Sequence, residues 1–158
     1  MHLMRAVVLG MTVAAVTGVE AAGQGTDPLV GTWELNVAKS KFVPGPAPKS
    51  ETRTYAVSGA DIKATSKGVN ASGEATAAEW TVNYDGKERP LVGNPNADSL
   101  SLKRVDASTV EFTQRKAGKV VATGTRKISA DGKVMTITTT GTNAKGQKVD
   151  EVEVFEKR

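Results

Sequence analysis

Two arginines stand where a sheet-forming sequence would otherwise place apolar residues. Arg104 continues the alternation of Leu100 and Leu102, and Arg126 lies between Gly124 and Ile128 after Val120 and Ala122. A guanidinium turned toward an interior needs a counter-charge. The chemistry it suits is an anion-binding pair inside a cavity, for a carboxylate, sulfonate or phosphate. The competing arrangement leaves both side chains near strand ends, reaching into solvent. Tyr55, Trp80, Tyr84 and Phe112 are most of the remaining large aromatics. They suit either a wall for a flat or greasy ligand or an ordinary core. Aromatics make up only 4% of the chain, and Ala64, Ala78, Ala122 and Gly124 fall inside strand patterns. Small lining side chains leave volume for water or a ligand, although they also suit a small, tightly closed barrel.

Other chemistries are largely excluded by residue type. The chain has no cysteine, and its one histidine, His2, lies in a leader-like segment. Most nucleophile–base pairs and nearly all zinc, copper and haem ligation go with them. No metal, no cofactor and no catalytic residue is therefore assigned. Carboxylates remain, and Asp150, Glu151, Glu153 and Glu156 cluster near the C-terminus. Alternation sets Glu151 and Glu153 against Val152 and Val154, which reads as a solvated acidic face. Nothing singles out Ser40 and Lys41 as a nucleophile pair, and no glycine-rich phosphate loop precedes a helix. Asn70-Ala71-Ser72 is a glycosylation sequon on a turn, relevant only in a eukaryotic secretory pathway. The net charge is +4. The lysines are scattered, many at turns (Lys87, Lys119, Lys133, Lys145), without the basic stripe and stacking aromatics of a nucleic-acid binder.

The elements that must position these residues are strands. Residues 1–21 read as an export signal: a basic start at Arg5, an apolar run from Ala6 to Val16, and small residues up to Ala21. The run is too short to span a bilayer, so no transmembrane segment is expected in the mature chain and the protein is expected to be exported, periplasmic or secreted. Residues 22–30 form a lead-in and 31–158 the folded domain. Runs of Val, Thr and Ile alternate with Asp-Gly and related turns, which supply the positive φ of tight hairpins. Ten strands are predicted, near 31–37, 50–57, 61–69, 76–84, 87–92, 99–105, 109–116, 119–128, 133–141 and 147–156. Trp33, Leu35 and Val37 share one face, as do Trp80, Val82 and Tyr84. The fold class that follows is all-β, a single antiparallel up-and-down barrel of about 8–10 strands with little or no helix. Residues 40–51 interrupt the rhythm with Pro44, Pro46 and Pro48. That stiff loop lies across or beside one mouth, as a lid or as a linker.

Gly31-Thr32-Trp33 at the first strand, the strand meander and the closing "VFEKR" at residues 154–158 resemble the calycin group, which includes lipocalins and fatty-acid-binding proteins. The opening "WELNVAKSKF" is also similar to that of uncharacterised exported bacterial proteins of lipocalin-like type. The resemblance implies that Trp33 closes one barrel end and that Arg158 packs over its indole as a structural clasp. A guanidinium on an indole contributes about 0.5–2 kcal/mol. The Arg-x-Tyr that anchors a ligand carboxylate in fatty-acid-binding proteins is absent, because those positions read Glu153 and Phe155. Lipocalin disulfides are absent as well.

These readings converge on a binding module holding a small hydrophobic or amphipathic molecule. Tyr55, Trp80, Tyr84 and Phe112 form its wall, and Arg104 or Arg126 meets a polar group. A compact structural or interaction barrel without a ligand is the alternative. A cofactor-free enzyme, for example an isomerase working through carboxylate, Tyr or Arg, ranks last because its commonest acid–base residue is missing.

Overall fold

A computed structural model describes residues 26–158. The leader assigned to residues 1–21 lies outside the described residues. Ten strands follow in order: β1 (Gly31–Leu35), β2 (Ser50–Ser58), β3 (Asp61–Val69), β4 (Ala75–Val82), β5 (Arg89–Val92), β6 (Ser99–Arg104), β7 (Thr109–Lys116), β8 (Lys119–Ile128), β9 (Val134–Thr142) and β10 (Lys148–Lys157). Each pairs antiparallel with its successor, and β1 closes on β10 to complete a barrel. Closure leaves every strand flanked on both sides, which removes the exposed edges an open sheet would carry. The hairpin joining β7 to β8 shows the local cause. Ala117 and Gly118 both have positive φ, 49° and 78°, the backbone a two-residue turn of matching twist requires.

The expected strands agree with those observed to within two residues at each end, and one of the differences is informative. β1 was expected to run to Val37 but ends at Leu35, and residues Val37–Lys39 form a single 3-10 turn. The Asn36 side chain accepts a hydrogen bond from Lys39 N at 3.1 Å and stops the strand. β10 is twice as long as β1, so its mouth-side half outlasts its partner. The proline-rich segment fills that gap: Lys41 and Val152 exchange backbone bonds of 2.8 and 2.9 Å, and Asp150 N donates to Val43 O at 2.8 Å. Beyond it, Pro44 enters the wall of the interior at the mouth.

The opposite end is closed. Trp33 is fully buried and its indole N–H donates to Leu29 O at 2.8 Å, so the lead-in crosses the barrel floor. The cation over the indole is Lys157, whose Nζ lies 5.1 Å from the ring centroid and donates to Pro28 O at 2.9 Å. Arg158, expected in that role, turns away and pairs with Glu34. Register explains the exchange. Trp33 stands directly opposite Lys157, so those two share a face and residue 158 falls on the other. Trp33→Ala should lower stability by about 3–5 kcal/mol in chemical denaturation. Lys157→Met should cost about 1 kcal/mol and Arg158→Ala less than about 0.5 kcal/mol, the reverse of the order that an Arg158 clasp would give.

Candidate functional site

The barrel encloses a cavity of about 400 Å³ that opens at the end carrying Pro44, Asn94 and Asn143. Alternation along each strand decides what lines it. Tyr55 (β2), Trp80 (β4), Phe112 (β7) and Arg126 (β8) all reach the interior, joined by Leu102 and Ile137. Tyr55 and Trp80 meet edge to face, with centroids 6.0 Å apart. Phe112 lies across Gly124, its register partner on β8, where an added Cβ would overlap both the phenyl ring and Thr138 O. Glycine at 124 is thus what lets a ring occupy this part of the wall.

Tyr84 and Arg104 do not line the cavity. They belong to the closed end, where Asp27 of the lead-in accepts from Tyr84 Oη at 2.8 Å, from Arg104 Nη2 at 3.0 Å and from Leu29 N at 2.9 Å. The Arg104 guanidinium stacks on the Tyr84 ring at 4.1 Å. Tyr84 lies past the end of β4, and Arg104 ends β6 on the solvent side of the same plug. Burial, with the hydrogen bond to Asp27, pushes the Tyr84 phenol up to about 12 against the opposing charge of Arg126. Only Arg126 of the arginine pair serves the interior. It is 5% exposed, and Tyr84 Oη accepts from its Nη2 at 2.9 Å. Among the described residues no carboxylate pairs with it.

The largest departure from the sequence reading lies on β10. Glu151 and Glu153 face inward with Val149 and Phe155, not outward onto a solvated face. Phe155 is fully buried and fixes the parity of the strand. The inward acids are tolerated because Arg53, on β2 at the other side of β1, stands among them. Arg53 Nε donates to Glu51 at 2.6 Å, and Nη2 reaches both oxygens of Glu153 at 3.3 Å. Ser66 Oγ donates to Glu51 at 2.8 Å, and the guanidinium lies 4.5 Å over the Phe155 ring.

One arginine divided between two acids treats them unequally. Burial opposes the charge on both. At Glu51 the Arg53 charge and its short bonds win, and the carboxyl is held below its ordinary range. At Glu153 burial wins over the weaker contact, and the carboxyl is raised. Burial also works against the charge on Arg53, but Glu51 and Glu153 outweigh it and hold the guanidinium well above its ordinary range. Glu151 accepts no hydrogen bond among the described residues. Burial, and then the Glu153 charge, push its carboxyl up to about 7. Sequence alternation alone missed Glu51, Arg53, Glu151 and Glu153. The available signal was the shared parity of Glu151, Glu153 and Phe155.

Comparisons place this geometry in a known fold. The chain is similar in structure to Rv2717c from M. tuberculosis, at TM-score 0.53 and 14% identity over 83% of this chain and 93% of that one. It is also similar to a zebrafish ileal bile acid-binding protein complexed with cholic acid, at TM-score 0.51 and 16% identity over 83% and 99%. No protein-family model and no curated relative matches the chain. The fold is that of a calycin-like small β-barrel.

Glu151 offers a direct check on the interior. Its folded pKa, about 7, lies above the ordinary 4.5, so the native state binds the extra proton and its contribution to stability is lost as pH rises through that interval. Glu151→Gln should therefore raise Tm by a few degrees at pH 8 and leave it nearly unchanged at pH 4. Thermal melts of both proteins across that range measure the difference.

Proposed function

We propose that this protein binds a small, mainly apolar molecule inside its barrel, with Arg126 meeting a polar or anionic group on it. The observation that carries the reading is a single one: a buried guanidinium without a carboxylate partner, facing a cavity of about 400 Å³. That volume lies within the range of small-molecule sites, roughly 300–1,000 Å³. Trp80, Tyr55, Phe112, Leu102 and Ile137 offer apolar area, each Å² removed from water contributing about 25 cal/mol. Likeness in fold to a protein captured with cholic acid supports an amphipathic ligand. We further propose, from the leader alone, that the protein is exported to the periplasm or beyond.

Two measurements test this. Native mass spectrometry of protein purified from its own host should show a co-purifying small molecule. Titration with an anionic amphiphile, followed by tryptophan fluorescence, should give saturable binding that Arg126→Gln weakens by about tenfold or more, since a charge-assisted hydrogen bond contributes about 1.5–3 kcal/mol. Circular dichroism of the variant establishes that the barrel is intact. Unchanged affinity in a folded Arg126→Gln protein would remove the arginine from the site.

A further inference from the structure

The cavity wall carries five charged side chains, and their pairing is incomplete. Glu51, Glu151 and Glu153 face Arg53 and Arg126 across one interior. Arg53 is committed: its Nε is taken by Glu51, its Nη2 by Glu153, and its face by Phe155. That leaves Glu151 without a cation and, at 5% exposure, Arg126 without an anion. Two opposite charges thus border the same cavity, and among the described residues neither forms an ion pair with the other or with a third charged group. Unpaired charge withdrawn from water is unfavourable, and a ligand that supplies both counter-charges relieves it twice.

Their spacing is set by the sheet. Arg126, Ile137 and Glu153 stand in one row across β8, β9 and β10, and Glu151 lies two residues nearer the mouth. A strand spacing near 4.8 Å and a rise near 3.3 Å per residue put the two backbone positions about 12 Å apart. Both side chains project inward, so their charged ends border the same cavity. The deeper position is cationic, the one nearer the mouth acidic.

We propose that the ligand is zwitterionic: an amphipathic molecule whose acidic group pairs with Arg126 and whose protonated amine, several bonds away, pairs with Glu151. This rests on the binding reading above and adds the amine to it. A purely anionic molecule satisfies Arg126 and leaves its remaining atoms beside Glu151. A neutral one satisfies neither. The groups facing Glu151 are Glu153 on its own strand, Thr139 on adjacent β9, and Glu51 and Arg53 on β2 beyond β1. The proton that Glu151 holds near neutral pH is the one an ammonium group displaces.

A matched pair of probes decides the question. Nα-octanoyl-lysine carries a carboxylate, an ammonium group and an apolar tail, and Nα-octanoyl-norleucine has the same shape without the ammonium. By calorimetry the wild-type protein should bind the lysine compound about tenfold tighter or more. The preference should grow from pH 6 to pH 8 as Glu151 gives up its own proton, and Glu151→Gln should abolish it. Glu151→Gln removes an unpaired acid, so the variant keeps its fold, and a melt confirms this. Equal or tighter binding of the norleucine compound overturns the amine assignment and leaves the binding reading standing. A preference that survives in Glu151→Gln also overturns it. Failure of both probes to bind overturns the zwitterion, and the binding reading is then decided separately by the molecule, if any, that co-purifies from the host.

Discussion

The pairing of β1 with β10 sets the character of the interior. With Trp33 opposite Lys157 and Leu35 opposite Phe155, the odd-numbered residues of the last strand must face inward. A shift of one residue would turn every one of them outward. Trp33 and Phe155, both fully buried, hold the register through packing. Glu151 and Glu153 lie inside because Phe155 does. The acidity of the cavity is therefore a consequence of barrel closure, and closure is favourable enough to carry it.

What makes that acidity tolerable is Arg53. It lies on β2, directly opposite Trp33 in register, and its side chain extends along the interior between Phe155 and Trp80. A guanidinium suits the position because it is flat, weakly hydrated and always charged. It stacks on one ring while its edge donates to two carboxylates. Those donors cannot serve three acids equally. The 2.6 Å contact to Glu51 and the 3.3 Å contacts to Glu153 show the order in which they are spent, and Glu151 comes last.

The barrel and the strand order were legible in the sequence, and four of the six residues read as wall border the cavity, because these placements depend on local signals. Gly-containing turns and runs of β-branched residues mark hairpins without reference to the rest of the fold. Tyr55, Trp80, Phe112 and Arg126 each lie inside a strand, away from its ends, where alternation still describes direction. Tyr84 and Arg104 were misplaced because both lie where a strand ends, and there alternation stops describing direction. The β10 acids were misread for a different reason. Val152 and Val154 look like the buried face, and nothing local reveals that a proline-rich segment from the other end of the chain lies beside them, with Ser40 Oγ accepting from Val154 N at 2.9 Å. Nor does any local signal show that Arg53, a hundred residues away in sequence from Glu153, is the compensating charge. The same register argument moved the clasp from Arg158 to Lys157, because the count along a strand fixes the face but the partner fixes where counting begins.

The closed end then decides which arginine remains free for the interior. Arg104, Val110, Arg126 and Ile137 follow one another across β6 to β9 in register, so both arginines start from the same level of the barrel. Asp27 separates their fates. Its carboxylate accepts from Leu29 N, Tyr84 Oη and Arg104 Nη2, and this fastens the lead-in to the floor and neutralises Arg104. Tyr84, its O–H donated to Asp27 in a hydrogen bond, has only acceptor capacity left, and Arg126 takes it. A phenol oxygen fixes the guanidinium without cancelling its charge. One short segment ahead of the first strand thereby seals the barrel, consumes one of two equivalent cations and orients the other, still charged, toward the cavity.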